Sequence, residues 1–233
     1  MSEPLVRQCV GAYEIVALPV LSDNFSYLIS RAGKAILIDC GEAEPVLAFL
    51  AAEELQLVQV LITHHHADHT AGCNTLQQQV GVLSRSPSVA AEETNYLSTP
   101  CRVIATPGHT RLCKSFYFPE LEAVFTGDAL INGGCGRVMD GTATMLYESL
   151  GQIATLPEQT RLFGGHDYLL DNLNFAKAEG VEEAQVEQRR MGYATHPAEA
   201  LFMTLREERK TNPFLQCHSV AAFASIRERK NKF

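Results

Sequence analysis

The first forty residues alternate short apolar runs with turn formers. Residues 13–20, 26–30 and 35–39 are rich in β-branched and aromatic side chains, and Ser22-Asp23-Asn24 and Ala32-Gly33 separate them. Strands joined as hairpins or a meander are predicted. The period then lengthens: between residues 42 and 55, Val46, Leu47, Phe49, Leu50 and Leu55 fall at helical spacing, which predicts a helix. The run Val58, Val60, Leu61, Ile62 reads as a buried strand ending at Thr63, residues 70–79 as a short helix and residues 80–83 as a further strand. This β, α, β order predicts a layered α/β body. Residues 174–179, 182–191, 197–210 and 220–229 lack strand alternation and are rich in Ala, Glu, Gln and Arg, so the chain is expected to end in a mainly helical segment.

The polar residues that interrupt this pattern fall at strand ends. His64, His65, His66, Asp68 and His69 lie within six residues of each other, directly after an apolar run, and imidazole and carboxylate groups gathered at the mouth of a strand point to a metal site. His64 and His66 are two apart, so in extended backbone both project to one side and can share an ion. Asp68 and His69 come as the chain turns, which aims them at a second position. The same arrangement recurs. Val103-Ile104-Ala105-Thr106-Pro107-Gly108-His109 delivers a third histidine after a Pro-Gly turn, Val124-Phe125-Thr126-Gly127-Asp128 ends in a carboxylate behind a glycine, and Leu162-Phe163-Gly164-Gly165-His166 ends in another histidine. Strand ends of a sheet can share one edge, where their loops meet over a site. Five histidines and two aspartates come close to the donor number that two ions need. His65 is expected to turn away from the ions.

Composition narrows the chemistry. The 233 residues suit one large core or a core with an appendage. No apolar run approaches the roughly 20 residues of a membrane span. The first eleven residues hold one basic residue, Arg7, and no continuous apolar stretch, so cytoplasm is the expected location. Seven cysteines without C-x-x-C spacing fit free thiols rather than disulfides or a thiolate zinc site. A net charge of −8 argues against nucleic acid. The charge is uneven: from Arg206 onward seven Lys or Arg face three Glu, leaving −12 on the rest. An acidic body with a basic tail suggests an anionic small ligand.

The order His64-x-His66-x-Asp68-His69, His109, Asp128, His166 resembles the metallo-β-lactamase superfamily of binuclear hydrolases. Within it the chain is similar to the glyoxalase II, or hydroxyacylglutathione hydrolase, family through Asp23-Asn24, Thr63-His64-His65-His66, Phe125-Thr126-Gly127-Asp128 and Gly133-Gly134-Cys135-Gly136-Arg137. The likeness continues through Asp140-Gly141-Thr142, Gly165-His166-Asp167-Tyr168, Asn212-Pro213-Phe214-Leu215 and Ile226-Arg227-Glu228-Arg229-Lys230. The resemblance implies a four-layer α/β/β/α sandwich over residues 1–166 and a helical substrate-binding domain over 167–233. It implies one ion on His64, His66 and His109, a second on Asp68, His69 and His166, and Asp128 bridging both, with Asp68 and Asp128 as the catalytic carboxylates. Zinc is the expected metal, with iron and manganese open. Arg137, Tyr168, Arg227 and Lys230 match positions that hold glutathione. The implied reaction is hydrolysis of an S-(2-hydroxyacyl)glutathione thioester by a hydroxide shared between the ions, in a monomer without nucleic-acid or membrane partners. The alternatives are a mononuclear-iron persulfide dioxygenase and a non-catalytic relative that binds glutathione conjugates. The chain departs from the family at Met139, where a tyrosine usually stands, and at Arg111-Leu112-Cys113-Lys114, where the family usually continues Gly-His.

Overall fold

The computed structural model describes residues 5–87 and 94–233. The chain divides into two compact units, Met1–Val103 with Phe116–Leu121 and Ile104–Ser115 with Glu122–Phe233. In the first, β1 (Val6–Val10), β2 (Tyr13–Val20), β3 (Asn24–Arg31), β4 (Lys34–Ile38), β5 (Gln56–Leu61) and β6 (Ser84–Arg85) form one sheet in chain order. The pairings are antiparallel as far as β4 and parallel from β4 through β5 to β6. The parallel steps need crossovers. Helix α1 (Glu44–Ala52) makes the first, and the short α2 (Ala67–Thr70) with α3 (Cys73–Val80) makes the second. Val16, Leu18, Leu28, Leu37 and Val60 from the strands pack with Val46, Leu50 and Leu76 from the helices in one apolar core.

Two expectations shift here. Val58 is exposed, because β5 alternates over its first half and becomes buried on both faces only at Val60 and Leu61. The strand expected at 80–83 is absent: Val80 ends α3, Gly81 caps it in the left-handed region at φ 74°, and β6 starts only at Ser84. The left-handed cap ends the helix where apolar periodicity alone suggested a strand. In the same unit β7 (Thr94–Tyr96) forms a hairpin with β8 (Thr99–Ala105), turning through Leu97 and Ser98 at positive φ.

The division passes through β8 and β9 (Lys114–Phe118). In the second unit, β10 (Ala123–Gly127) and β11 (Arg161–Gly164) pair in parallel and are joined through α4 (Ala143–Ala154), which buries Leu146, Leu150 and Ile153. Helices α5 (Leu169–Ala178), α6 (Glu183–Thr195), α7 (Pro197–Leu201), α8 (Leu205–Thr211) and α9 (Val220–Lys230) follow. The single helix expected over 197–210 is two, because the chain between them extends along β11: Leu162 N donates to Met203 O at 2.9 Å. Phe125 stacks on Phe163 and Phe163 on Phe202, at 4.8 and 5.3 Å between ring centroids. Both strands of this unit end in the segments that carry Asp128 and His166. The cysteines are free thiols, and among the described residues no helix is long and apolar enough to cross a membrane.

Candidate metal centre

Each unit carries its own set of donors. In the first, β4 ends at Ile38, and Asp39 sits at φ 57°, a left-handed conformation costly for a residue with a side chain unless its surroundings fix it. They do. Its buried carboxylate accepts from Thr63 N at 2.8 Å and Thr63 Oγ1 at 2.7 Å, and it meets His69 Nδ1 at 2.8 Å. A carboxylate only accepts, so His69 carries its proton on Nδ1 and turns a lone pair outward from Nε2. Thr63, having given its proton to Asp39, accepts from His64 Nδ1 at 3.2 Å, which leaves His64 Nε2 as a lone pair too. That nitrogen lies 3.1 Å from His66 Nδ1, and the His64 and His69 rings are 4.1 Å apart. His69 Nε2 faces Asp68 Oδ2 at 3.6 Å, and Asn24 Nδ2 steadies that same oxygen at 2.9 Å. His65 is exposed.

In the second unit the logic repeats with backbone in place of the Asp39 carboxylate. His109 Nδ1 is 2.7 Å from Arg137 O, so it donates there and Nε2 is the lone-pair nitrogen, 3.5 Å from Asp128 Oδ2. His166 Nε2 lies 3.3 Å from Asp128 Oδ1. Asp128 is therefore flanked by an imidazole on each oxygen, with all three residues buried. Lone pairs that face carboxylate oxygens repel until a cation lies between them. Imidazole nitrogens whose other nitrogen is held by a carboxylate or a carbonyl are the donors divalent metals take. The donor chemistry of both sets fits divalent metal ions.

Glycines make the second set possible. A Cβ on Gly136 would stand 2.2 Å from Asp128 O and 3.0 Å from His109 Nδ1, and one on Gly108 would stand 2.4 Å from the Leu146 Cα. The second unit also contains a cavity of about 380 Å³ lined by His109 and Asp128 together with Arg137, Tyr168, Arg227 and Lys230. The Tyr168 ring stacks on His166 at 4.6 Å and 11°. Arg137 is exposed. Arg227 is buried, and its Nη1 donates to Cys135 O at 2.7 Å and Gly136 O at 3.4 Å. Lys230 Nζ donates to Asp171 O at 3.1 Å and lies over the Phe175 ring; burial pulls its pKa below the usual lysine value. Cys135, in the same lining, is pushed up to about 11 by burial, so its thiol stays protonated at neutral pH.

The sequence profile of the Metallo-beta-lactamase superfamily matches residues 21–102 and 99–166, and that of the Hydroxyacylglutathione hydrolase C-terminus matches residues 167–233. A hydroxyacylglutathione hydrolase from Fuscovulum blasticum is 36% identical over 259 residues, covering 95% of this chain and 100% of the relative. The chain belongs to the hydroxyacylglutathione hydrolase family of the metallo-β-lactamase superfamily. Solved structures agree with the expected metallo-β-lactamase-like α/β fold and helical C-terminus. ETHE1 from Myxococcus xanthus, 29% identical, has a TM-score of 0.71 over 93% of this chain and 91% of its own. TTHA1623, solved in a di-iron-bound form, is 25% identical with a TM-score of 0.62 over 86% and 99%.

Several residues that shape this hydrolase's donor sets were not singled out from sequence. Asp39 gives the same signal as Asp128, a carboxylate at the end of an apolar strand, but the family motif marks Asp128 and not Asp39. Asn132, whose Nδ2 donates to His166 O at 2.7 Å, carried no signal. The departures at Met139 and at Arg111-Leu112-Cys113-Lys114 leave the His109 turn held by backbone and side-chain bonds. Met139 N donates to His109 O at 3.0 Å, and Arg111 N and Nε donate to Asp140 Oδ1 and O at 2.8 and 2.9 Å.

Proposed function

We propose that this chain hydrolyses the thioester of S-(2-hydroxyacyl)glutathione, S-D-lactoylglutathione being the reference substrate, to glutathione and a 2-hydroxy acid. The observation that carries the reading is the cavity of the second unit, where two metal-type donors and the four expected glutathione contacts line one space. Shared identity with named hydroxyacylglutathione hydrolases along 94–95% of the chain supports it independently. We assign one ion to His64, His66 and His109, a second to Asp68, His69 and His166, and Asp128 as the bridge. The lone-pair orientation in each unit supports the assignment, as does the di-iron-bound form of TTHA1623. Zinc is the metal we expect in a donor set of imidazole and carboxylate. We put the functional boundary at 166/167, a choice that the meeting of the two family profiles there supports, and take the enzyme to be a cytoplasmic monomer.

Divalent ions held by these residues would lower the pKa of water toward about 7 and polarise the thioester carbonyl. The chain's own groups supply the rest. Arg137 and Lys230 present cations to glutathione, which carries two carboxylates, and charge-assisted hydrogen bonds to them fix its position. Tyr168 offers a hydroxyl and a ring already aligned on His166. A thiol leaving group with a pKa near about 8.5 departs as thiolate, so no general acid is required.

The test is hydrolysis of S-D-lactoylglutathione by the metal-loaded enzyme, followed by loss of thioester absorbance. Cleavage that disappears in Asp128→Ala supports the reading. An intact thioester with the wild type refutes it, and oxygen uptake with glutathione persulfide would then favour the dioxygenase alternative.

A further inference from the structure

The ion pair buried deepest in the second unit lies among the C-terminal helices rather than at the donors. Arg189 of α6 and Glu208 of α8 have side chains 1% and 0% exposed and meet at 2.7 Å between Nη1 and Oε2. A buried pair of this kind is a poor device for stability, since an apolar pair of similar volume does as well or better. Its other bonds indicate what it holds. Glu208 Oε1 accepts from Gly133 N at 2.5 Å and from Asn212 Nδ2 at 3.0 Å, and the same amide donates to Gly134 O at 2.9 Å. Arg189 is pinned in turn by Thr211 Oγ1 at 2.6 Å and Ala200 O at 2.9 Å. From α5, Asn172 Nδ2 donates to Asn132 O at 2.8 Å. Three consecutive residues, Asn132 to Gly134, are thus held by Asn172 of α5, Glu208 of α8 and Asn212 just after it, with Arg189 of α6 fixing Glu208 from behind.

What those residues do next is to aim the donors. Asn132 donates to His166 O, Gly136 N donates to Asp128 O at 2.9 Å, and Arg137 O fixes His109 Nδ1. The 132–137 loop therefore holds the backbone of Asp128 and His166 and the ring of His109.

We propose that Glu208, locked by Arg189, is a positioning residue: through Gly133 and Gly134 it holds the 132–137 loop in the shape that orients His109, Asp128 and His166. This rests on the reading that those three are metal ligands. Lost outer partners of metal ligands typically weaken binding about 10- to 100-fold, and a similar loss is expected here.

The experiment compares two double variants of the full chain. Arg189→Met/Glu208→Leu removes both charges and the acceptor for Gly133 N. Arg189→Met/Glu208→Gln removes both charges but keeps an oxygen for Gly133 N and Asn212 Nδ2. Cobalt(II) is titrated into each metal-free protein, reading half-saturation and the visible absorption that reports ligand geometry, with thermal midpoint and the kcat/KM split measured alongside. The Leu double should bind cobalt about tenfold or more weakly with an altered spectrum and lowered kcat, and the Gln double should rescue both. Equal cobalt binding in the two doubles, whether intact or lost, overturns the proposal. If the Leu double does not fold, Asn212→Ser decides: weaker cobalt binding supports the brace, and wild-type binding overturns it. A wild type that binds cobalt but leaves the thioester intact would refute the hydrolase reading and leave this comparison valid.

Discussion

The two donor sets present the same chemistry on opposite plans. In the first unit His64, His66, Asp68 and His69 lie within six residues, and one buried carboxylate, Asp39, fixes both the Thr63 backbone and the His69 tautomer. In the second, His109, Asp128 and His166 come from three separate strand ends, and the 132–137 loop orients them through backbone and one amide. A local set needs a single orienting group. A dispersed set needs a scaffold, and here the scaffold is anchored in helices α5, α6, α8 and α9. Damage far along the chain should therefore reach the second set and spare the first.

The largest effect should come from Asp128, whose two carboxylate oxygens each face an imidazole. Asp128→Ala is expected to reduce turnover of S-D-lactoylglutathione by more than the roughly 100-fold that an outer partner costs, and to lower the metal content found by elemental analysis. A variant that keeps its full metal complement would show that the second set does not depend on a shared carboxylate.

Asp39→Asn tests the other plan. Asparagine has a single acceptor oxygen where Thr63 N uses one carboxylate oxygen and Thr63 Oγ1 and His69 Nδ1 share the other, so at least one donor is left facing an amide nitrogen. A buried unsatisfied group costs about 1–3 kcal/mol, and metal affinity should fall by roughly 10- to 100-fold. Both are read from thermal unfolding and a metal titration. An unchanged titration would mean that His69 does not owe its tautomer to Asp39.

The same contrast governs what was legible in the sequence. The first set was readable because its ligands are neighbours and the apolar run before them places them at a strand end. His109, Asp128 and His166 were readable only together, as recurrences of that signal. Glu208 and Asn132 were not, because a buried Glu on a helix full of Glu and Arg looks like a solvated residue, and Asn132 lies in a loop without period. Element types came through where composition was strongly biased, as in β2 and α9, or where an apolar run stood out, as in β5. Periodicity failed where backbone geometry decided, at the Gly81 cap and at the break between α7 and α8. Residue type alone shows one side of Arg227: the resemblance makes it a contact for glutathione, and in the cavity lining its Nη1 is also bonded to the Cys135 and Gly136 carbonyls.

That difference separates two arginines that line one cavity. Arg227→Ala removes a donor to the loop that orients the second set, so kcat and thermal midpoint should both fall, with KM changing less. Arg137→Ala removes an exposed cation whose backbone alone holds His109. There KM should rise a few-fold with kcat kept, because solvent screens an exposed charge to about 0.2–1 kcal/mol. Identical profiles for the two would remove the loop-bracing role of Arg227.

The smallest effect is a matter of pH. Lys230 is held between aromatic rings and a carbonyl, and burial lowers its pKa from the ordinary lysine value, the Arg227 charge adding to the shift in the same direction while Asp171 opposes it. A lowered pKa in a base means that the charged form is the one the fold disfavours. As pH rises, Lys230 loses its proton before an exposed lysine would, and with it the attraction for an anionic substrate. KM for the glutathione thioester should therefore climb on the alkaline side of neutrality, starting below the ordinary lysine range, while kcat keeps its own profile. Lys230→Arg carries a guanidinium that does not titrate there, so its KM should stay level over the same interval. If KM for Lys230→Arg climbs in parallel with the wild type, the titrating group lies elsewhere, and Lys230 would be a structural contact to Asp171 O and the Phe175 ring rather than a hand for the substrate.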